Sequence, residues 1–196
     1  MPAKAGYFSD PIVLAGSVGY YPGFIPPEEA DELFAALFEL NWSQSVFRGM
    51  GPDSPMVVHM ADASSCQVTN AIVPAKWTPE AIRIKLLVEE KTGCAFDDLL
   101  LNLYRDHRDC LSLRPGGNEE RPQMFPIATV SLGAQRRFKW ENNKDASTTA
   151  QLLEHGSLLL LPPGFQRDNR YELPKQEKPC GPRINLTFSC KSPLHP

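Results

Sequence analysis

The sequence predicts a mainly β fold of the α+β class, in which two N-terminal helices pack on one sheet of a double-sheet jelly roll or barrel. Helix signals are confined to the first 98 residues. Residues 99–190 hold six strand-length runs bounded by Gly, Pro and Asn. With 196 residues, the chain is long enough for one well-packed domain. We therefore expect a single domain over 1–196, with N-terminal strands and helices in 1–98 and a β core in 99–190.

The first helix is predicted after a segment of strands and turns. Residues 1–26 contain short apolar runs separated by Gly and Pro, which suits strands and turns. Pro27 then precedes the run EEADELFAALFELN, with acidic residues in its first turn. Leu33, Leu37 and Leu40 form an apolar stripe at helical spacing. This pattern predicts an amphipathic helix packed on a sheet.

The second helix carries both start and stop signals. Thr78 stands at the N-cap position and Pro79 at the first helical position, and the periodic run ends at Gly93. Ile82 and Leu86 are spaced to mark its inner face. Between the helices, MVVHM at 56–60 is typical of a short strand.

The β core is predicted from six runs in the second half of the chain. They are LLLNLY, MFPIATVSL, RRFKW, GSLLLLP, NRYELP and RINLTFS. Short strands at this spacing favour two antiparallel sheets over a parallel α/β sheet.

Composition limits the class of protein. The chain is 42% hydrophobic with a net charge of −3, and it contains neither an apolar run of membrane-spanning length nor a basic-then-apolar leader. Its five cysteines form no CxxC pair, which favours reduced thiols. We therefore expect a cytoplasmic or nuclear protein without a membrane partner.

Charge is uneven along the chain. Residues 1–100 hold 6 Lys/Arg against 13 Asp/Glu, whereas residues 101–196 hold 14 against 10. The basic second half is suited to phosphate contact, or is simply the solvated rim of a barrel.

Six short motifs occur in order on the predicted strands. They are NLYRD at 102–106, SLG at 131–133, RRF at 136–138, HGSLL at 155–159, LPK at 173–175 and RINLTF at 183–188. Together they resemble the AlkB family of iron- and 2-oxoglutarate-dependent nucleic-acid dealkylases, over roughly residues 96–189. The resemblance implies a double-stranded β-helix (jelly roll), ferrous iron, 2-oxoglutarate and a nucleic-acid partner.

The iron ligands that the resemblance implies are missing. The HxD positions fall on Arg114 and Gly116, and the distal His position falls on Tyr171. A guanidinium cannot act as a ligand, glycine has no side chain, and a phenol is a poor substitute for imidazole. An ordinary iron site is therefore not expected, and we do not expect an enzyme. The alternative is a rearranged site built from His107, Asp109 and His155.

The resemblance implies half of a 2-oxoglutarate site. Asn102, Tyr104 and Arg183 match family positions that contact this cosubstrate, and Asn185 fits a pocket-lining role. The position of the second family arginine holds Ser189. Two readings stay open: retained 2-oxoglutarate binding, or four side chains that only satisfy one another.

One basic cluster is a candidate for nucleic-acid contact. Arg136, Arg137, Lys139 and Lys144 surround two aromatic residues of one predicted hairpin. A solvated hairpin explains the same pattern.

The leading hypothesis is a non-catalytic AlkB-like module that binds nucleic acid or regulates another protein. The alternatives are a dealkylation repair enzyme with a rearranged metal site and a protein-interaction scaffold with a protein partner.

Overall fold

The computed structural model describes residues 10–44, 52–62, 74–114 and 123–190, with the backbone alone at 113 and 114. Two antiparallel sheets face each other, and helices cover the outer face of the larger sheet. This is the mainly β double-sheet architecture that the sequence predicts. No helix among the described residues is long and apolar enough to cross a membrane.

The larger sheet has eight strands. In spatial order they are β1 (Ile12–Leu14), β2 (Val18–Tyr21), β10 (Ser157–Leu161), β7 (Ile127–Gly133), β12 (Arg183–Ser189), β5 (Asp98–Tyr104), β4 (Met56–Ala61) and β3 (Ser43–Gln44). The last strand among the described residues, β12, lies in the middle of this sheet and pairs with β7 on one side and β5 on the other.

The smaller sheet has four strands. In spatial order they are β6 (Leu111–Arg114), β11 (Asn169–Leu173), β8 (Arg136–Asn142) and β9 (Thr148–Leu153). All six strand runs predicted in the second half are strands, and so is MVVHM. The sequence did not reveal β6 and β9.

The described residues also contain a 3-10 helix at Ala15–Ser17, two long α-helices and one short α-helix. The α-helices are α1 (Pro27–Phe38), α2 (Pro79–Thr92) and α3 (Phe165–Asp168). The start and stop signals of α2 are confirmed: the Thr78 hydroxyl accepts a hydrogen bond from the Ala81 amide at 3.3 Å, and Gly93 adopts φ 68°. Its predicted inner face is wrong, because Ile82 and Leu86 are exposed.

The two faces of the larger sheet have different neighbours because side chains alternate along each strand. Leu99, Leu101 and Leu103 of β5 join the core under the helices, together with Ile84 and Val88 of α2. The intervening positions of β5 face the smaller sheet. The same alternation on β12 brings its polar side chains to the inner face, where the candidate site lies.

Candidate functional site

A cavity of about 350 Å³ lies between the two sheets. Its walls include all four residues predicted to contact 2-oxoglutarate, which are Asn102, Tyr104, Arg183 and Asn185. The register explains why they meet, since Arg183 lies opposite Tyr104 and Asn185 lies opposite Asn102 on neighbouring strands. The structure therefore brings the predicted group together, and ligand binding by it stays a prediction.

Arg183 is the electrostatic centre of this cavity. Its side chain is 1% exposed, and Nη2 donates hydrogen bonds to Ser131 Oγ at 3.0 Å and to Asn185 Oδ1 at 2.7 Å. Nε and Nη1 have no hydrogen-bond partner among the described residues. Burial lowers the pKa of Arg183 to about 10, because the charged form is poorly solvated there. The Arg183 guanidinium therefore remains a cation at neutral pH, and its Nε and Nη1 remain available as hydrogen-bond donors.

Tyr104 and Asn185 complete the polar wall. The Tyr104 ring centroid lies 5.2 Å from Arg183 Cζ, and burial raises the pKa of its phenol. Asn185 Nδ2 donates to Thr187 Oγ1 at 2.8 Å. The four predicted side chains therefore satisfy one another only in part, because two nitrogens of Arg183 are left over. Sequence reasoning missed Ser131 and Thr187, although both alternate in phase with Arg183 and Asn185 in the paired strands.

The remaining walls are largely apolar and come from both sheets. Aliphatic and aromatic residues make up most of them: Leu100, Leu111, Ile127, Phe138, Leu153, Leu161, Tyr171 and Leu173. Of these, the sequence pointed only to Tyr171, as a predicted iron-ligand position, and to Phe138, as an aromatic residue of the basic cluster. Arg183 is the single charged side chain among the described residues that line the cavity.

Tyr171 and Arg114, which the resemblance predicts to occupy two iron-ligand positions, are direct cross-strand partners on β11 and β6. Their assignment to one metal site stays a prediction. The Tyr171 hydroxyl accepts a hydrogen bond from Gln166 Nε2 at 3.2 Å, and its ring packs against Phe138 and Phe165. Gly116 lies outside the described residues.

The residues at these positions do not fit ferrous iron. A facial triad needs two imidazoles and a carboxylate. Arginine brings a permanent positive charge, and tyrosine ionises only near pH 10 without help from a metal.

The alternative ligand set is dispersed in the structure. Asp109 forms a bidentate ion pair with Arg105, with both N–O distances 2.8 Å. His155 Nδ1 accepts a hydrogen bond from the Gly133 amide at 2.8 Å, and its Nε2 lies 3.3 Å from Asp31 Oδ1. In the part of the chain that the structure describes, no three His, Cys, Asp or Glu side chains form a group able to hold a metal.

The predicted basic cluster is divided between two faces of the hairpin. Arg136 is 1% exposed, and its guanidinium donates to the carbonyl oxygens of Asp106, Asp109 and Pro174. The expectation that Arg136 contacts phosphate is therefore corrected, because its donors serve the fold and water cannot reach it. Arg137 and Lys144 are exposed, and Lys139 is half-buried with Nζ 4.0 Å from Glu172 Oε1.

Two facing antiparallel sheets with a cavity between them define a protein of the double-sheet jelly-roll class. The model of the 2OG-Fe(II) oxygenase superfamily matches residues 17–188. The chain belongs to this superfamily, as an AlkB-like member.

Several relatives support the same placement. The alpha-ketoglutarate-dependent dioxygenase alkB homolog 3 of Bos taurus is 30% identical over 184 residues, which cover 85% of this chain and 63% of that protein. Its Homo sapiens counterpart is 30% identical over 185 residues, covering 86% and 64%. The DNA oxidative demethylase ALKBH2 of Mus musculus is 34% identical over 125 residues, covering 60% and 52%. This chain thus spans somewhat less than two thirds of the length of these relatives.

A solved structure confirms the fold. The structure of OsALKBH1 superposes with a TM-score of 0.69 at 15% identity, and the match covers 90% of this chain and 99% of that one.

Proposed function

We propose that this chain is a non-catalytic AlkB-like domain that binds nucleic acid as a recognition or regulatory module. The observation that carries the proposal is the identity of the residues at the three iron-ligand positions: Arg114, Gly116 and Tyr171. Loss of one ligand weakens a metal site, and loss of all three leaves no donor set.

The register supports this assignment of positions. Arg114 and Tyr171 pair directly across β6 and β11, beside a register shift between Tyr171 and Leu173, so their backbones are neighbours as those of two ligands of one site would be. Among the described residues, no other group of His, Cys, Asp and Glu side chains could hold a metal ion in place of the missing ligands.

The cosubstrate half of the family site is partly retained. Arg183 has two nitrogens available for a carboxylate, which is the interaction that the family arginine makes with 2-oxoglutarate. At the second family arginine position, Ser189 Oγ donates a hydrogen bond to Asp98 Oδ2 at 3.1 Å. Arg183 and its neighbours therefore fit one carboxylate, and Ser189 supplies no cation for another.

Nucleic acid is the proposed partner by analogy with the relatives, of which ALKBH2 is a DNA oxidative demethylase. Arg137 and Lys144, together with half-buried Lys139, are the candidate phosphate contacts on the outer face of the smaller sheet. A cytoplasmic or nuclear location and a single domain over 1–196 belong to the same proposal.

Iron content tests the proposal directly. The purified protein is incubated anaerobically with ferrous iron, desalted and assayed for metal, and then for succinate release from 2-oxoglutarate with alkylated DNA or RNA. We expect far less than one iron per chain and no substrate-dependent succinate. Stoichiometric iron with substrate-dependent turnover in the wild type would end the proposal.

A restored variant serves as the matched control. Arg114→His, Gly116→Asp and Tyr171→His together return the family residue types to the three positions. We expect this variant to retain more iron than the wild type under identical treatment, because imidazole and carboxylate are the donors that ferrous iron requires.

A further inference from the structure

Among the described residues, no acidic side chain forms an ion pair with the buried Arg183 cation of the cavity. Nε and Nη1 of Arg183 have no acceptor among the described residues, and the side chain is shielded from solvent. Its charged neighbour is Arg136, which repels it. A buried charge in this setting is costly unless an anion pairs with it. The cavity is therefore built to receive one negative charge at this end.

Several other polar groups of the cavity are already paired. Asn185 accepts from Arg183 and donates to Thr187, and Gln166 donates to the Tyr171 hydroxyl. Nε and Nη1 of Arg183 are therefore the charged donors that a ligand meets unused in this cavity, beside the side chains of Asn102 and Tyr104. Specificity for a second charged group would need a second cation, and the described lining contains none.

The rest of the cavity suits an apolar body. Ile127 from the larger sheet and Phe138, Leu153 and Leu173 from the smaller one enclose it. Its volume of about 350 Å³ is at the low end of the range for small-molecule sites. From Arg183 to Thr187 the wall follows β12 for about 13 Å, at the usual rise per strand residue. A slender acid fits this shape better than a compact, doubly charged one.

We infer that the cavity binds a monocarboxylic acid with an apolar chain, whose carboxylate pairs with Arg183 while its chain lies between the two sheets. The inference rests on the proposed function, since it assumes that no metal holds a keto acid here. A dicarboxylate of equal length would place its second charge beside the mainly apolar side chains of the described lining, which offer it no charged partner.

Isothermal titration of metal-free protein tests the inference, with octanoate, octanol, suberate and 2-oxoglutarate as probes. Octanol lacks the charge, and suberate adds a second charge at the far end of the same chain length. We expect octanoate to bind at least about tenfold more tightly than each of the other three, because a charge-assisted hydrogen bond favours it over octanol. Equal or tighter binding of suberate, 2-oxoglutarate or octanol would overturn the inference, and so would a failure of octanoate to bind.

Two substitutions locate the site. Arg183→Met removes the charge and should lower octanoate affinity to that of octanol. Leu111→Trp should lower it at least about tenfold by filling the cavity from a partly exposed position. Ser112→Trp is the matched control, because Ser112 is exposed on the same strand and lies outside the lining. If Arg183→Met does not fold, the titrations of the wild-type protein with the four probes still test whether the cavity prefers a monocarboxylate.

The two proposals fail separately. Metal-free protein that prefers 2-oxoglutarate would overturn the octanoate assignment and leave the missing iron site untouched. Stoichiometric iron in the reconstitution experiment would end the proposed function itself.

Discussion

Asp109 is nearly buried, and its carboxylate is fully engaged by Arg105. It accepts hydrogen bonds from the Arg105 amide at 2.7 Å, from Nε and from Nη2. The string His107–Arg108–Asp109 matches the HxD spacing of a metal site. In the structure, however, its carboxylate fixes the turn between β5 and β6.

The Arg105–Asp109 pair should respond asymmetrically to mutation. Arg105→Ala leaves a buried carboxylate with little compensation and should lower the free energy of unfolding by about 2–3 kcal/mol. Asp109→Asn leaves a half-exposed guanidinium that water can solvate, so we expect a loss of about 1 kcal/mol. Urea denaturation measures both. Arg108→Ala is the control, since Arg108 pairs with Asp106 at the surface and should change nothing measurable. Equal losses at Arg105 and Asp109 would contradict this reading of the pair.

The opposite placements of Arg136 and Arg137 were predictable in principle. Arg136, Phe138 and Trp140 occupy alternate positions and are all buried, whereas Arg137 lies on the other face. Period-two alternation therefore placed Arg136 with the aromatic residues. The carbonyl oxygens that bind its guanidinium come from the β5–β6 turn and from Pro174, and sequence proximity gives no sign of them.

At the scale of elements, local sequence signals predicted correctly where α2 begins and ends, but they did not predict which face of the helix is buried. Caps depend on neighbouring residues, so Thr78 and Gly93 could be identified from the sequence. The helix also carries two apolar pairs at helical spacing, Ile82 with Leu86 and Ile84 with Val88. Tertiary packing buries the second pair, and periodicity alone cannot choose between them.

The same distinction applies to the candidate site. Its polar wall was predictable because its four residues lie in two motifs on paired strands, β5 and β12. Its apolar wall was not, because it requires the smaller sheet to be placed over the larger one. Leu153, part of that wall, comes from a strand that the sequence did not reveal.

Gly133 at the end of β7 is predicted to be the least replaceable of three glycines. It adopts φ 86°, and a Cβ there would lie 2.5 Å from the Pro182 carbonyl oxygen and 2.7 Å from Phe34 Cε2. Gly133→Ala should therefore lower the free energy of unfolding by about 3 kcal/mol, from strain and overpacking together. At Gly93 an added Cβ meets no neighbouring atom, so only the left-handed backbone conformation is unfavourable for alanine. Gly93→Ala should therefore lower the free energy of unfolding by about 1 kcal/mol. Denaturant titration with unchanged m-values would measure both.

Gly181→Ala is the control for this series, because Gly181 has neither a left-handed φ nor any atom near its added Cβ. We expect no loss of stability. If Gly133→Ala were as well tolerated as Gly181→Ala, the close approach of β7 to Pro182 would be refuted.

At the scale of the whole molecule, the outer face of the smaller sheet is only mildly basic. Glu141 pairs with Arg170, and Glu172 lies near Lys139, so Arg137 and Lys144 are the exposed cations of the predicted cluster. Few uncompensated charges imply few phosphate contacts and modest affinity. A shallow salt dependence is therefore expected.

Binding titrations at several salt concentrations, with single-stranded and duplex oligonucleotides, test this surface. Arg137→Ala and Lys144→Ala should each weaken binding for all sequences and reduce the salt slope by about 1. Lys76→Ala removes an exposed charge just before α2 and should have no effect. Binding that ignores salt, or that responds equally to all three substitutions, would favour the protein-interaction scaffold.

The central position of β12 has a consequence for biosynthesis. Before residues 183–189 are synthesised, the described strands of the larger sheet can pair only as two separate groups, β1–β2–β10–β7 and β5–β4–β3, and β7 and β5 each have an open edge. Such open edges are templates for incorrect strand pairing. The strand that carries the buried Arg183 guanidinium is thus also the strand that joins the two groups into a single sheet.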